Sequence, residues 1–474
     1  MSKRDRNHPA VYLDYAATTP VDPEVLEEML PYFSQHFGNP GSRIHSRGLT
    51  AETAVDTARE RVASLLGARP LEITFTSGAT ESNNLALVGV AAAWNYDCDL
   101  LISASEHPSV AAVAQGLVDK GVRLQILPVG TDGRVSPGAL DKTLETLSHR
   151  SHVLVSVMHA SNETGVIHPV EEIGALCRRH GAVFHCDASQ SVGKIPVKVN
   201  EIGADLLSLS AHKFYGPKGV GALYVRRQKP RIPLLAQANG GAQERGLRSG
   251  TLNVPGIVGM GVAATVALQR LAPESAELRR LTRLMVACLR EHLSGVEVNG
   301  SLAHRLPSFL NLSFADVPAE RLQQAIRPLA EISAGSACGT GKIGPSPGLL
   351  ALGLPASRAD GAVRIVLGRF TTEDDVHRAI DAIVPAVLQT RRQQTRQDRV
   401  RQDRNDRSSL ELSRKRRTVG TAVGSQQKMS CGITEALTSS TRGQATLPKY
   451  FPASPQGAAT TTDPGPFENL TLAK

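Results

Sequence analysis

Cysteine is scarce in this chain, with six residues among 474, at positions 98, 177, 186, 288, 338 and 431 and without framework spacing. So few cannot staple a chain of this length, which excludes a disulfide scaffold and points to reduced thiols. Long apolar runs are missing too. Stretches such as Leu85 to Ala93 fall far short of the roughly 20 residues that a bilayer demands, so no membrane span is expected. Lys3, Arg4 and Arg6 near the amino terminus have no apolar segment behind them, so no secretory signal is expected and the cytoplasm is the default compartment. Excess charge is also absent from most of the chain, although the formal net charge is +9. Eleven Lys or Arg against four Asp or Glu lie between Arg391 and Arg417, and four against three follow, so the last 84 residues hold +8 of it. A near-neutral body with a basic tail is no basic protein.

The length suits two domains and an appendage, at roughly 150 residues per domain. Short β-branched runs at 72–76, 100–104, 122–129, 153–158, 182–186, 205–210 and 220–225 alternate with helical patterns at 50–66, 82–94, 109–120, 137–147 and 170–180. That alternation implies an α/β fold, a mostly parallel seven-stranded sheet covered on both faces, with ligands at the carboxyl ends of its strands. The turn Tyr215-Gly-Pro-Lys-Gly219 lies between two strands and introduces one antiparallel neighbour. Helices over 254–270 and 277–293, strands at 309–314 and 363–367, and helices at 320–328 and 373–389 describe a smaller α+β unit. From Arg391 the apolar periodicity stops and Gln, Arg, Ser, Thr, Gly and Pro dominate, which reads as disorder. The domains expected are 11–265, 266–390 and the tail 391–474.

Three elements carry chemistry. Phe75-Thr-Ser-Gly-Ala-Thr-Glu-Ser82 runs from a strand through a small-residue turn into a helix, which suits a phosphate, or else is an ordinary helix capped by Ser77 or Thr80. It is not a G-x-G-x-x-G turn, which argues against a dinucleotide. Asp187 ends an apolar strand, where a carboxylate needs a cation such as a protonated ring nitrogen, or simply caps the next turn. Lys213 follows another strand end, and a lysine in a dry site forms Schiff bases, whereas most lysines are solvated. A phosphate cradle, an acid at a strand end and a lysine about 26 positions later are together the equipment for pyridoxal 5'-phosphate.

The segments Tyr12-Leu-Asp-Tyr-Ala-Ala-Thr-Thr-Pro20, 75–84, Met158-His-Ala-Ser-Asn-Glu-Thr-Gly165, Ala211-His-Lys-Phe-Tyr-Gly-Pro-Lys-Gly219, Arg245-Gly-Leu-Arg-Ser-Gly-Thr-Leu252 and Gly335-Ser-Ala-Cys338 resemble the cysteine desulfurases of the class V aminotransferase family, the sulfur donors of iron–sulfur cluster assembly. The likeness spans roughly Val11 to Leu388 and implies the type I fold of pyridoxal-phosphate-dependent transferases. It implies Lys213 as the Schiff-base lysine and His107 as the histidine that stacks on the cofactor and handles protons. Asp187 and Gln190 would contact the ring nitrogen and hydroxyl, while Thr80, Ser210 and His212 hold the phosphate, joined by Thr251 from the second subunit of a homodimer. Asn162 and Arg364 would bind the substrate carboxylate, for which the guanidinium fork is suited. Cys338, in a stretch whose Gly and Pro content reads as a loop, would take sulfur from L-cysteine as a persulfide and release L-alanine. Selenocysteine lyase is the rival within the same fold. A nucleic-acid or partner-binding protein acting through its Arg-rich tail is the rival of another class, opposed by intact Lys213, Asp187 and Cys338. Sulfur-acceptor or iron–sulfur scaffold proteins are the implied partners, although no counterpart of the family's scaffold-docking segment follows Leu388. Arg414-Lys-Arg-Arg417 reads as a solvated charge run. Cys177, His180, His185 and Cys186 crowd together, but neighbours on a strand point to opposite faces, so no metal is expected.

Overall fold

A computed structural model of the chain describes residues 9–147, 152–334 and 345–420. Contacts divide the chain into one unit up to Asp403 and a second from Arg404. In the second unit the described stretch, 404–420, is helical.

In the first unit, strand β1 (Val11–Tyr12) precedes the seven strands of the large sheet. These are β2 (Ile73–Thr76), β3 (Asp99–Ser103), β4 (Arg123–Leu127), β5 (Val153–Ser156), β6 (Val183–Asp187), β7 (Leu206–Ser210) and β8 (Gly221–Val225), in the order β2-β8-β7-β6-β5-β3-β4. All pair in parallel except β8, which runs antiparallel to both β2 and β7, as the turn at Tyr215–Gly219 requires. Residues alternate strictly between the two faces. Leu101, Val155, Phe184 and Leu207 enter the core on one side, and Leu100, Ile102, Leu154 and Leu206 enter the core on the other. Strands that are apolar on both faces must be covered twice, which is why helices lie on each side.

The smaller layer contains β9 (Val296–Val298), β10 (Phe309–Phe314), β12 (Ser333–Ala334) and β13 (Ala362–Val366), an antiparallel sheet in the order β12-β13-β10-β9. Strand β11 (Ala330–Glu331) pairs in parallel with β1, and Leu13 is buried in the core of this layer. The segment after β1 therefore joins the small layer first and then, at residues 16–19, bonds to His212 and Lys213 past the carboxyl end of β7.

The helices expected over 254–270 and 277–293 are one continuous helix, Val254–His292, with Pro273 inside it. Its first half, with Val254, Ile257 and Met260, packs in the large core, and Leu278, Leu281, Met285 and Leu289 pack in the small one. Length and composition would let this helix cross a membrane, yet most of its apolar window is buried inside the protein. It approaches helix Ser46–Leu66 so closely that a Cβ on Gly261 would lie 2.6 Å from the Ala58 Cα. Arg369, just past β13, fastens the layers together. Its Nη1 donates to Asp22 (2.6 Å), its Nε donates to Glu274 (2.8 Å), and its guanidinium lies 4.1 Å from the centroid of the Tyr215 ring.

The last helix runs from Glu373 to Gly420 instead of ending at Gln389. Arg, Gln, Lys and Glu are strong helix formers, and the stretch between Arg391 and Val419 contains neither Gly nor Pro, so propensity continues the helix where apolar periodicity has stopped. Arg391 donates from Nε to the Ala315 carbonyl (2.9 Å) and from Nη2 to that of Ser294 (2.8 Å), which ties the start of this extension to the small layer.

Candidate active site

The carboxyl ends of six strands of the large sheet, β2 to β7, open onto one edge, and several of the expected site residues lie there. Strand β2 leads into helix Ala79–Ala93 through Gly78, whose φ of +155° favours glycine. Gly78 is the N-cap, so no side chain caps this helix, and neither Ser77 nor Thr80 serves that role. The first helical N–H groups and the positive end of the helix dipole are thus available to an anion. Ser210, buried at the end of β7, places its Oγ 3.8 Å from where a Cβ on Gly78 would stand. Gly221 presses on the same turn, because a Cβ there would lie 2.6 Å from the Gly78 Cα. Thr80 lies exposed in the first turn, and the His212 ring shares a hydrogen bond with Thr18 Oγ1 at 3.1 Å. Glu81 accepts from the Ser77 N–H (2.8 Å) and pairs with Arg248 (2.9 Å), which ties the loop bearing Thr251 to the cradle helix. Thr251 itself is exposed, and the hydrogen bonds of the described residues do not bring it to Ser210 or His212.

Asp187 is the final residue of β6. Its Oδ1 accepts from the N–H (2.9 Å) and hydroxyl (2.5 Å) of Ser189, and its Oδ2 accepts from Asn83 Nδ2 at 2.8 Å. It therefore caps its own turn and also faces the cradle helix. His107, past the end of β3, is the N-cap of helix Pro108–Val118, with Ser109 bound to its Nδ1. Burial lowers the His107 pKa, Asp187 opposes that shift and Lys213 reinforces it, so the three groups act on one another.

Lys213 lies in the short turn Ala211–Lys213 after β7, and its Nζ donates to the carbonyls of Ala16 (2.5 Å) and Ala17 (2.8 Å). Gln190 Nε2 donates to the same Ala16 carbonyl (3.1 Å), while its Oε1 is buried without a partner. Lys194, which has no signature in the sequence, donates to the carbonyls of Gln190 (2.9 Å) and Lys213 (3.1 Å). Burial, and then the positive charge of Lys213, lower its pKa to about 7.

Arg364, from β13, is 2 % exposed. Its Nη2 donates to Asp14 (2.6 Å), its Nη1 donates to the Asn162 carbonyl (2.8 Å), and its Nε is buried without a partner. Next to Asn162, burial raises the pKa of Glu163, whose carboxylate accepts from the hydroxyl of Ser346.

Cys338 and Cys431 lie outside the described residues. Cys98, Cys177 and Cys186 are buried, and burial pushes their thiols up, Cys98 to about 11 and the other two further, so they are poor sources of thiolate. The cluster weighed for metal binding is dispersed. His185 is held between Ser156 (2.8 Å) and Ser208 (2.9 Å), Cys186 enters the core on the opposite face, and His180 reaches Asp141 at 2.8 Å.

These residues fit pyridoxal phosphate. An uncapped helix start suits a phosphate, a carboxylate held by N–H and O–H donors suits a ring nitrogen that keeps its proton, and the unpartnered Gln190 oxygen suits a ring hydroxyl.

Comparison with known proteins agrees. Residues 11–379 match the family model described as aminotransferase class-V. The cysteine desulfurase IscS of Anaeromyxobacter sp. (strain Fw109-5) is 50% identical over 382 residues, which is 80% of this chain and 93% of that protein. A solved NifS-like protein is 36% identical with a TM-score of 0.73, covering 80% of this chain and 99% of its own. SspA, solved in complex with cysteine, is 36% identical with a TM-score of 0.67 over 77% of this chain and 100% of its own.

Proposed function

The chain belongs to the class-V aminotransferase family, and from that premise we infer that it is a pyridoxal-phosphate-dependent cysteine desulfurase, converting L-cysteine to L-alanine and supplying sulfur for iron–sulfur clusters. The observation that carries this reading is the meeting of the Gly78 turn, Asp187, His107 and Lys213 at one edge of the sheet. Pyridoxal phosphate, when bound, supplies an electron sink for the α-carbon of the substrate. The Gly78 turn, Ser210 and His212 hold the phosphate, and Asp187 holds the proton of the ring nitrogen. Lys213 moves the α-proton. Arg364, whose Nε has no other partner, receives the substrate carboxylate together with Asn162. Cys338 attacks the substrate sulfur as a thiolate. A sulfur–sulfur bond forms as the carbon–sulfur bond breaks, leaving a persulfide on Cys338 and, after proton uptake at carbon, alanine. The poor fit of the three buried thiols to a nucleophile supports this assignment.

We place the protein in the cytoplasm as a homodimer that hands sulfur to an acceptor or scaffold protein. The free thiols Cys98, Cys177, Cys186 and Cys288 fit a reducing compartment. Phe33, Phe37 and Ile44, exposed by 61%, 62% and 96%, offer one subunit an apolar surface to bury against another.

In the test, the purified protein absorbs visible light that borohydride shifts, and it makes alanine faster from cysteine than a Cys338→Ser variant does. Lys213→Ala loses both colour and turnover with an unchanged far-UV spectrum. Colourless wild-type protein, a Lys213→Ala variant that still forms alanine, or a preference for selenocysteine with Cys338 dispensable would each reject this reading.

A further inference from the structure

The directions of four hydrogen bonds around His107 can be worked out from the one group that can only accept. Asp187 takes two donors from Ser189 on Oδ1, so the group facing its Oδ2 at 2.8 Å must donate as well. That fixes the Asn83 side chain with its amino group toward Asp187. The opposite orientation would set an amide oxygen against a carboxylate. Asn83 is fully buried, and its other amino hydrogen goes to Ser109 Oγ at 2.9 Å. Ser109 Oγ is therefore an acceptor from Asn83, and its own hydrogen is directed to the remaining neighbour, His107 Nδ1, at 2.8 Å. The Ser109 backbone N–H reaches the same Nδ1 at 3.1 Å. With two donors converging on it, that nitrogen holds no proton.

We propose that Asn83 is a positioning residue that, through Ser109, fixes His107 as the neutral tautomer with its proton on Nε2. His107 then presents a hydrogen-bond donor to the site and, in the resting enzyme, is no base, so abstraction of the α-proton rests with Lys213. This deepens the desulfurase reading by dividing the work between two residues. To become a cation, His107 would have to protonate Nδ1 and break both bonds from Ser109. Three further features oppose the cation: His107 sits at the start of an 11-residue helix, where the dipole is positive, it is partly withdrawn from solvent, and the positive charge of Lys213 acts on it. Asp187 is the opposing charge. The neighbouring Glu106 is turned away, accepting from the Met158 N–H, and burial raises its pKa, which favours its neutral form.

The sequence hides this arrangement, because Asn83 stands 26 residues from Ser109 and 104 from Asp187. The test is nitrogen NMR of histidine-labelled full-length protein, with and without cofactor, with the His107 signals assigned by their loss in His107→Asn. Wild type should show an unprotonated Nδ1 and a protonated Nε2. Asn83→Ala frees the Ser109 hydroxyl to turn and leaves the Ser109 backbone N–H as the remaining donor to Nδ1, so the hold on the Nε2 tautomer should weaken and the pH at which His107 becomes charged should rise by roughly one unit, the scale of one hydrogen bond's preference. Ser109→Ala keeps Asn83 and Asp187 in place and should produce the same change, while Ser109→Thr, which keeps the hydroxyl, should restore the wild-type signals. A wild-type Nδ1 that carries the proton, or Ser109→Ala signals that match wild type, overturns the proposal. Neither result depends on turnover, so it is separable from failure of the desulfurase reading, which would appear in the colour and alanine assays instead.

Discussion

Lowering the pH should loosen this protein through histidines that are buried uncharged, and His185 permits a measurement of the effect. It is fully buried on β6, two residues before Asp187, with Ser156 and Ser208 on its two nitrogens. Burial lowers its pKa from an ordinary 6.5 to about 4, that of His159 also to about 4 and that of His168 to about 3. A folded pKa below the unfolded one means that the unfolded chain binds protons first. The stability from each group is therefore complete above the unfolded value and lost as pH falls toward the folded value. Between about pH 7 and about pH 5 each histidine should cost about 2 kcal/mol, and the three together about 6 kcal/mol, against a total stability of about 5–15 kcal/mol for a domain. Glu106 and Glu163 act in the opposite sense, since burial raises their folded pKa values and the native state takes up their protons first as pH falls. A single substitution isolates one term from this mixture. Urea unfolding of cofactor-stripped protein, followed by circular dichroism at fixed concentration, should give a His185→Gln variant that is weaker at neutral pH. Its loss between about pH 7 and about pH 5 should be smaller than the wild-type loss by about 2 kcal/mol. An equal loss in the two proteins would refute the argument.

Two further outcomes follow from the packing. Arg369→Ala leaves the carboxylates of Asp22 and Glu274 without their cation and should cost about 3–5 kcal/mol in the same unfolding assay, and a loss under about 1 kcal/mol would mean that the bridge is idle. A chain ending at Asp403 should match the full-length protein in colour, alanine formation and melting, whereas one ending at Thr390 loses the two Arg391 bonds and should be weaker by about 1 kcal/mol while keeping its turnover. Equal stability of the two truncated chains would show that Arg391 holds nothing.

The seven strands of the large sheet were legible because each is a short run rich in apolar residues between turn residues, and their ends therefore located Gly78, Asp187 and Lys213 at one edge. The antiparallel strand β8 was legible from the turn at Tyr215–Gly219. Side-chain pairs that close over long separations were hidden, because local pattern carries no record of them. Asp14 meets Arg364 across 350 residues, and Lys194 holds the Lys213 carbonyl from 19 residues away. The continuous helix at Val254–His292 was hidden because Pro273 reads as a break, and the helix after Arg391 because periodicity reports a buried face while propensity alone builds an exposed one. Of the expected site residues among the described residues, Thr80 and Thr251 are the exposed ones.

The helix Val254–His292 supplies side chains to both cores, and this bears on how the protein can be inherited and repaired. A cut anywhere along it leaves an apolar half-helix on each fragment, so neither fragment can be exchanged, expressed or evolved as a module. Damage to the small core is transmitted along the helix to the cofactor-binding layer, and calorimetry should accordingly find one melting event where the two sheets suggest two. For selection, the two layers are a single target.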